Sequence, residues 1–450
     1  MSVAGLSHPP KGQANCPHIR LRNGGQRFYY NAVTITQSFR LAVSRREGCA
    51  AMKLAYFVLP HIGGTYSVFK HLRGGLADFG IDLRWLGLSR SKQTLSPEMR
   101  DEMRFGNLLY MPEALDEKTC ARCLTAAIES RGYDGVVFNV LSDRMQTNIA
   151  RYLPEHILRL MVVHNITPGT YAAAKAIRDH VHATIGVSER CRSDLVSHHG
   201  FSPDQTFVIP NAVNMAAFRA STRDVHRDNS KLRALFVGRI EDASKGVLWL
   251  PAIMDNLPGA VELTVAGDGP DMAKLKAQLK RHGERITYAG FVHPDKVPAL
   301  MSEHDILIMP SRFEGLPMTL IEAMAAGCVP VASNIRGVTD TIIDHETDGM
   351  LFPVGNPVKA AALIGKFCHD PDLLNRMSAA AQSKIAERFA VTEMARRYND
   401  VIRSIERNPP KLVPSLDFDQ WSIPLGLRSG LRTYIPLPVK NWLRVVRERL

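Results

Sequence analysis

From Lys53 onward the sequence repeats one pattern twice: brief apolar runs rich in β-branched and aromatic residues alternate with longer stretches whose apolar positions recur at helical spacing. The first set of runs is LAYFVLP, YDGVVFNV, RLMVVHN, HATIGVS and TFVIPN. The second set begins at Arg233 and reads RALFVGRI, VELTVAG, ITYAGFV, DILIMPS, VPVAS and MLFPV. Runs this short, bounded by Gly, Pro, Asn or His, read as buried strands, and segments such as TYSVFKHLRGGLADFG read as the helices between them. Strands and helices that alternate this way require parallel sheets covered by helices on both faces. Between the sets, Phe218 to Leu232 is polar, charged and without apolar period, and reads as a linker. Two α/β halves joined by a linker leave a cleft between them, and ligands of such sheets bind at the carboxyl ends of the strands.

Within the second set, Pro310 to Ser333 reads PSRFEGLPMTLIEAMAAGCVPVAS. Glu314 falls on a loop after an apolar strand, Glu322 inside the following helix, and the helix start at Leu316, Pro317, Met318 and Thr319 lies between them. A helix start leaves backbone N–H groups unpaired and carries partial positive charge, which suits a diphosphate. Pro317 fits the first turn, where no N–H is needed, and Gly327 supplies a permissive stop. A loop carboxylate can accept hydrogen bonds from sugar hydroxyls, and one further into the helix can take both hydroxyls of a ribose. Taken alone, two such glutamates are equally the solvated flanks of an ordinary helix.

Earlier in the same half the chain runs GRIEDASKG, with Arg239 and Lys245 six residues apart across a polar loop. Arg can fork onto phosphate oxygens while Lys acts as a movable point charge. In the first half, His61, Ile62, Gly63 and Gly64 directly follow the first strand, where paired glycines let backbone approach a phosphate or sugar closely. A lone GG is more often a tight turn. His164 ends the strand RLMVVHN, facing the crevice or else bonded structurally to backbone.

The paired-glutamate segment closely resembles that of the retaining glycosyltransferases of family 4, which have the GT-B fold: two Rossmann-like, doubly wound α/β domains facing an interdomain cleft. The resemblance covers roughly Met52 to Ile405 and is strongest in the second half, where VAGDGP (Val265–Pro270) and GFV (Gly290–Val292) also match; VIPNAVN (Val208–Asn214) matches before the linker. It implies that Glu314 contacts the donor sugar, Glu322 the ribose and Val292 the base, and that Arg239, Lys245, Gly63, Gly64 and Gly315–Thr319 hold the donor diphosphate. His164 would orient the sugar. The implied reaction moves a sugar from a nucleotide-diphosphate donor to a glycan or glycolipid hydroxyl with retained configuration, without metal or other cofactor and without a covalent protein nucleophile. The implied organisation is an extension over 1–51, an acceptor domain over 52–217, a linker over 218–232, a donor domain over 233–390, a helix crossing back over 391–410 and a basic amphipathic tail over 411–450. Competing readings are a GT-B-like sugar-nucleotide epimerase or phosphorylase and a non-catalytic binding protein for membrane or nucleic acid.

The formal charge of +12 is concentrated at the ends: residues 1–51 carry +6 and residues 421–450 carry +5, leaving a nearly neutral body. Such ends suit an anionic membrane surface or a phosphorylated acceptor better than a groove tracking a duplex, and a solvated face is the equal alternative. In the tail, Trp442, Leu443, Val445 and Val446 are expected to form an apolar face edged by arginines; a partner surface or packing on the body is the alternative. Cys120 and Cys123 form a lone CxxC without a second pair, and the cysteine pattern suits a reduced, cytoplasmic protein, peripheral at most to the membrane. No stretch reaches the apolar length of a transmembrane helix. The two DxD matches, Asp370 to Asp372 and Asp417 to Asp419, do not read as metal ligands.

Overall fold

The computed structural model describes residues 51–61, 63–90, 97–140, 143–219, 231–428 and 434–449. The expected extension lies outside them except for Ala51, as do Ile62 and residues 220–230 of the expected linker. Seven strands form the first sheet: β1 (Met52–Tyr56), β2 (Ile81–Ser89), β3 (Gly106–Tyr110), β4 (Gly135–Asn139), β5 (Leu158–Val163), β6 (Ala183–Gly186) and β7 (Thr206–Val208). Six form the second: β8 (Leu232–Val237), β9 (Val261–Ala266), β10 (Ile286–Gly290), β11 (Ile306–Met309), β12 (Val329–Asn334) and β13 (Met350–Pro353).

The spatial orders are β3-β2-β1-β4-β5-β6-β7 and β10-β9-β8-β11-β12-β13, and the strand pairs are parallel. In each sheet the order of strand addition therefore reverses once, between β1 and β4 in the first and between β8 and β11 in the second. At such switch points adjacent crossover connections leave in opposite directions and open a crevice. Both doubly wound halves are present.

Central strands β4, β5 and β11 are buried along their whole length because helices cover both faces, which is why they read as unbroken apolar runs. β2 and β3 were absent from the runs picked out in the sequence. β2 lies one strand in from the edge and is covered on one face, so its first residues alternate buried Ile81, Leu83 and Trp85 with Asp82 and Arg84, which pair at 2.7 Å. β3 is the edge strand itself and only half covered.

The helix Val391–Arg407 buries Met394, Ala395, Tyr398, Val401, Ile402 and Ile405, a stripe of helical period, against the helix Gly64–Ala77 of the first half. Ala395 enters where Gly75 has no side chain, and Arg403 Nη2 donates to the Phe79 carbonyl at 3.0 Å. The chain after this helix wraps the first half. Leu416 N donates to the Arg151 carbonyl at 2.8 Å, and Trp421 packs its ring 4.7 Å from that of Tyr152. The buried Arg159 on β5 spends its guanidinium on the carbonyls of Leu153 and Pro154 and on Ser415 Oγ of this wrapping segment.

The chain ends in the helix Leu437–Arg449. The apolar face expected of Trp442, Leu443, Val445 and Val446 is split between two sides of this helix. Val445 packs against the core, while Trp442 and Leu443 are exposed. Among the described residues no helix is long and apolar enough to cross a membrane.

Candidate functional site

The two switch points face one another across a cavity of about 590 Å³. The residues expected in the site line it, with two exceptions: Gly315, which packs between the halves, and Glu322, which sits deeper in its helix. From the first half come Gly63, Gly64 and His164; from the second come Arg239, Lys245, Val292, Glu314 and Leu316 through Thr319.

On the first-half side, Gly63 precedes the helix Gly64–Ala77 with no side chain capping the first amides. His61 stands beside this turn, its Nδ1 against the Leu59 carbonyl at 2.8 Å and its Nε2 against Thr65 Oγ1 at 3.1 Å. His164 follows β5, and its Nε2 lies 2.7 Å from Asn139 Oδ1. Asn139 Nδ2 donates to the Phe57 carbonyl at 2.8 Å, which orients the amide so that Oδ1 must accept. Nε2 of His164 therefore carries the hydrogen and Nδ1 is left as an acceptor. Burial lowers the His164 pKa to about 4, so the ring is neutral near pH 7.

On the second-half side, Lys245 Nζ donates to Glu314 Oε1 at 2.7 Å, and Ser311 Oγ donates to the same oxygen at 2.7 Å. The pair is mostly shielded, with the Glu314 side chain 11 % exposed and that of Lys245 29 %. Lys245 ends a one-turn helix, Asp242–Lys245, that Gly246 stops in the left-handed conformation at φ 62°. A β-carbon on Gly246 would also meet the Pro310 carbonyl at 2.1 Å, so glycine there serves both the turn and the close approach of the two loops.

Arg312 ties those loops together. Its Nε and Nη2 donate to the carbonyl and the carboxylate of Asp242 at 2.8 and 2.7 Å, its backbone N–H donates to Ser244 O, and its guanidinium lies 3.9 Å from the Trp249 ring centroid. Neither Arg312 nor Asn139 was picked out in the sequence. The signal available was positional: both are polar residues at or just past the carboxyl end of a strand beside a switch point.

The acidic-loop helix begins at Met318, with Pro317 as its N-cap, two residues later than the expected start at Leu316. Pro317 holds an extended backbone, and no side chain caps the first turn, so its amides stay available at the cavity. Arg239 Nη2 stands 3.6 Å from Glu241 Oε1 and its side chain is 67 % exposed, so it lines the cavity as a second cation apart from Lys245. Glu322 is half-buried, and burial pushes its carboxyl up to about 7.

The two DxD segments do other work. Asp370 caps the helix Pro371–Arg388, and Asp419 pairs with Lys118 and Arg122. Among the described residues no three His, Cys, Asp or Glu side chains converge as metal ligands.

Comparison with solved structures identifies the architecture. The Anabaena protein HepE, crystallised with UDP and glucose, superposes with a TM-score of 0.66 at 16% identity, covering 78% of this chain and 100% of that one. Sucrose-phosphate synthase from Thermosynechococcus elongatus superposes with a TM-score of 0.65 at 18% identity, covering 79% of this chain and 99% of that one. The chain has the GT-B fold. By sequence, residues 218–384 match the family described as Glycosyl transferases group 1. The alpha-D-kanosaminyltransferase of Streptomyces kanamyceticus is 24% identical over 279 residues, which are 58% of this chain and 70% of that protein. The 2-deoxystreptamine glucosyltransferase of the same organism is 27% identical over 221 residues, 46% of this chain and 57% of that protein. This GT-B chain is thus related to glycosyltransferases, and it spans between about half and 70% of these curated relatives.

Proposed function

We propose that the chain transfers a sugar from a nucleotide-diphosphate sugar to an acceptor hydroxyl, with retained anomeric configuration and without a metal. The observation that carries this reading is the pairing of Lys245 with Glu314 on the rim of a cavity that also receives the uncapped start of the acidic-loop helix. A diphosphate seated there gains Lys245, Arg239 and the Met318 and Thr319 amides as positive partners. Charge develops on the departing phosphate as the sugar becomes oxocarbenium-like, and preorganised donors of this kind lower that barrier.

In the proposed step the bond from the anomeric carbon to the β-phosphate oxygen breaks and a bond to the acceptor oxygen forms on the same face. The acceptor's proton passes to the leaving phosphate oxygen. Neutral His164 offers Nδ1 to a donor-sugar hydroxyl, Glu314 accepts from another, Glu322 takes the ribose and Val292 lies against the base. The first sheet with its helices (52–217) would hold the acceptor and the second (233–390) the donor. We assign the acceptor to the glycans or glycolipids of a cell surface and place the enzyme on the cytoplasmic side of a membrane as a peripheral protein.

The test is a thermal-shift panel of nucleoside diphosphates and their sugars, since a ligand that binds the folded state raises its melting temperature, followed by transfer assays with the stabilising donor. One nucleotide class should stabilise the chain, and its sugar should be transferred with retention by NMR. An inverted product, or nucleotide-sugar turnover without transfer, would overturn the reading in favour of another chemistry.

A further inference from the structure

The helix Leu437–Arg449 sits on the protein inside out. Asn441, Arg444, Val445 and Glu448 follow at i, i+3, i+4 and i+7 and so share one stripe. That stripe faces the body. The Arg444 guanidinium lies 4.1 Å from the Phe313 ring centroid with Nη1 donating to the Ala243 carbonyl at 3.1 Å, Val445 packs on the core, and Glu448 stands 3.6 Å from Arg190. The opposite stripe, Val439, Trp442, Leu443 and Val446, has the same spacing and points away. Val439, Trp442 and Leu443 are 45, 63 and 47 % exposed. A helix that only packed on a globular body would turn these stripes the other way. Three of the eleven large apolar side chains exposed among the described residues, Val439, Trp442 and Leu443, lie on this one stripe.

We propose that this outward stripe docks on an anionic lipid surface. The charges beside it favour that partner. Residues 421–450 carry six Lys and Arg against the single acid Glu448, and that acid is turned inward to Arg190. On the helical wheel Lys440 and Arg447 lie together along one edge of the apolar stripe, Arg447 with Nη2 3.4 Å from Asp194, and Trp442 is placed for the headgroup boundary. Pairing two copies through the stripe would instead bring like charges together. The proposal deepens the peripheral-membrane reading above and does not require sugar transfer. Docking would set the cleft beside the bilayer, because the same helix reaches the loops that carry Lys245 and Glu314.

The experiment is co-sedimentation of the full chain with vesicles of phosphatidylcholine alone or mixed with phosphatidylglycerol. The wild-type chain should sediment with the mixed vesicles, weakly with phosphatidylcholine alone and less at high salt. The double variant Trp442→Glu, Leu443→Glu should lose roughly tenfold or more of that binding. Both side chains are exposed, so an unchanged melting temperature and unchanged donor turnover in the absence of vesicles should accompany the loss. Three results would overturn the proposal: no binding of the wild type to mixed vesicles, equal binding by the double variant, or a dimer in sedimentation velocity that the variant abolishes. The second would move the binding to another basic segment such as 1–51, and the third would assign the stripe to a second copy.

Discussion

Gly315 lies so close to the backbone of His164 that a β-carbon on it would sit 1.7 Å from the His164 carbonyl oxygen. The first residue follows Glu314 of the second half and the second follows β5 of the first, so this contact sets how closely the two sides of the cavity approach. Gly315→Ala must push them apart. Because a displacement of about 1 Å can cost roughly 100-fold in rate, the variant should lose ten- to a hundredfold in turnover while its circular dichroism stays native. Wild-type turnover in Gly315→Ala would mean that the contact opens freely and does not gauge the cleft.

Lys245 Nζ meets Glu314 Oε1 at 2.7 Å. If Lys245 serves the diphosphate, Lys245→Ala should weaken nucleoside-diphosphate affinity roughly 10- to 100-fold, since a charge-assisted contact in a shielded site is lost. Glu314→Gln should bind the nucleotide within about threefold of wild type, yet lose roughly 100-fold or more in transfer through the sugar contact. Calorimetry with both variants separates the roles. Equal affinities for wild type and Lys245→Ala would take the lysine out of the phosphate site.

Glu322 makes a pH prediction with a definite sign. Burial raises its folded-state pKa from 4.5 to about 7, so between those values the folded protein keeps a proton that the unfolded chain has released. Stability owed to this group is therefore full at low pH, falls as pH rises from about 4.5 to 7, and is level above that. A ribose diol donates hydrogen bonds and so prefers the carboxylate, which means nucleotide binding near pH 7 should expel a proton. Calorimetry in buffers of different ionisation enthalpy should detect the release in the wild type and not in Glu322→Gln. His164, with its pKa lowered to about 4, should add no titration to the activity profile around pH 6.5. Binding without proton release would remove Glu322 from the ribose.

The parts of this molecule legible in sequence are those whose environment is uniform along the chain. β4, β5, β11 and β12 read as apolar runs because both faces are covered, and the charged residues of the GRIEDASKG and FEGLP segments stand out because they interrupt that pattern at strand ends. β2 escaped because one covered face makes it alternate. Arg312 escaped because its role is made by Asp242, seventy residues earlier, and no local pattern encodes that meeting. The tail shows a different gap. Spacing reveals two stripes on Leu437–Arg449, but which stripe faces the protein is decided by Phe313, Ala243 and Arg190, all remote in sequence.

Arg444 touches both the Glu314 loop and the Lys245 loop from a helix that belongs to neither. Its guanidinium covers the Phe313 ring next to Glu314, and Nη1 donates to the Ala243 carbonyl two residues before Lys245. Burial and then the nearby Arg312 lower its pKa against the opposing pull of Glu241, and the stacking and the carbonyl hold the guanidinium in place. Removing it should let the Lys245 and Glu314 loops drift relative to each other without unfolding either. Arg444→Ala is expected to raise the KM for the donor roughly three- to tenfold and to lower kcat, with little change in melting temperature. Arg444→Lys should restore little, because a compact ammonium cannot both cover the ring and reach the carbonyl as a planar guanidinium does. If lysine rescued the kinetics fully, charge alone would explain the residue and the bracing role would fall. If alanine lowered the melting temperature and left kinetics intact, Arg444 would only fasten the helix to the body.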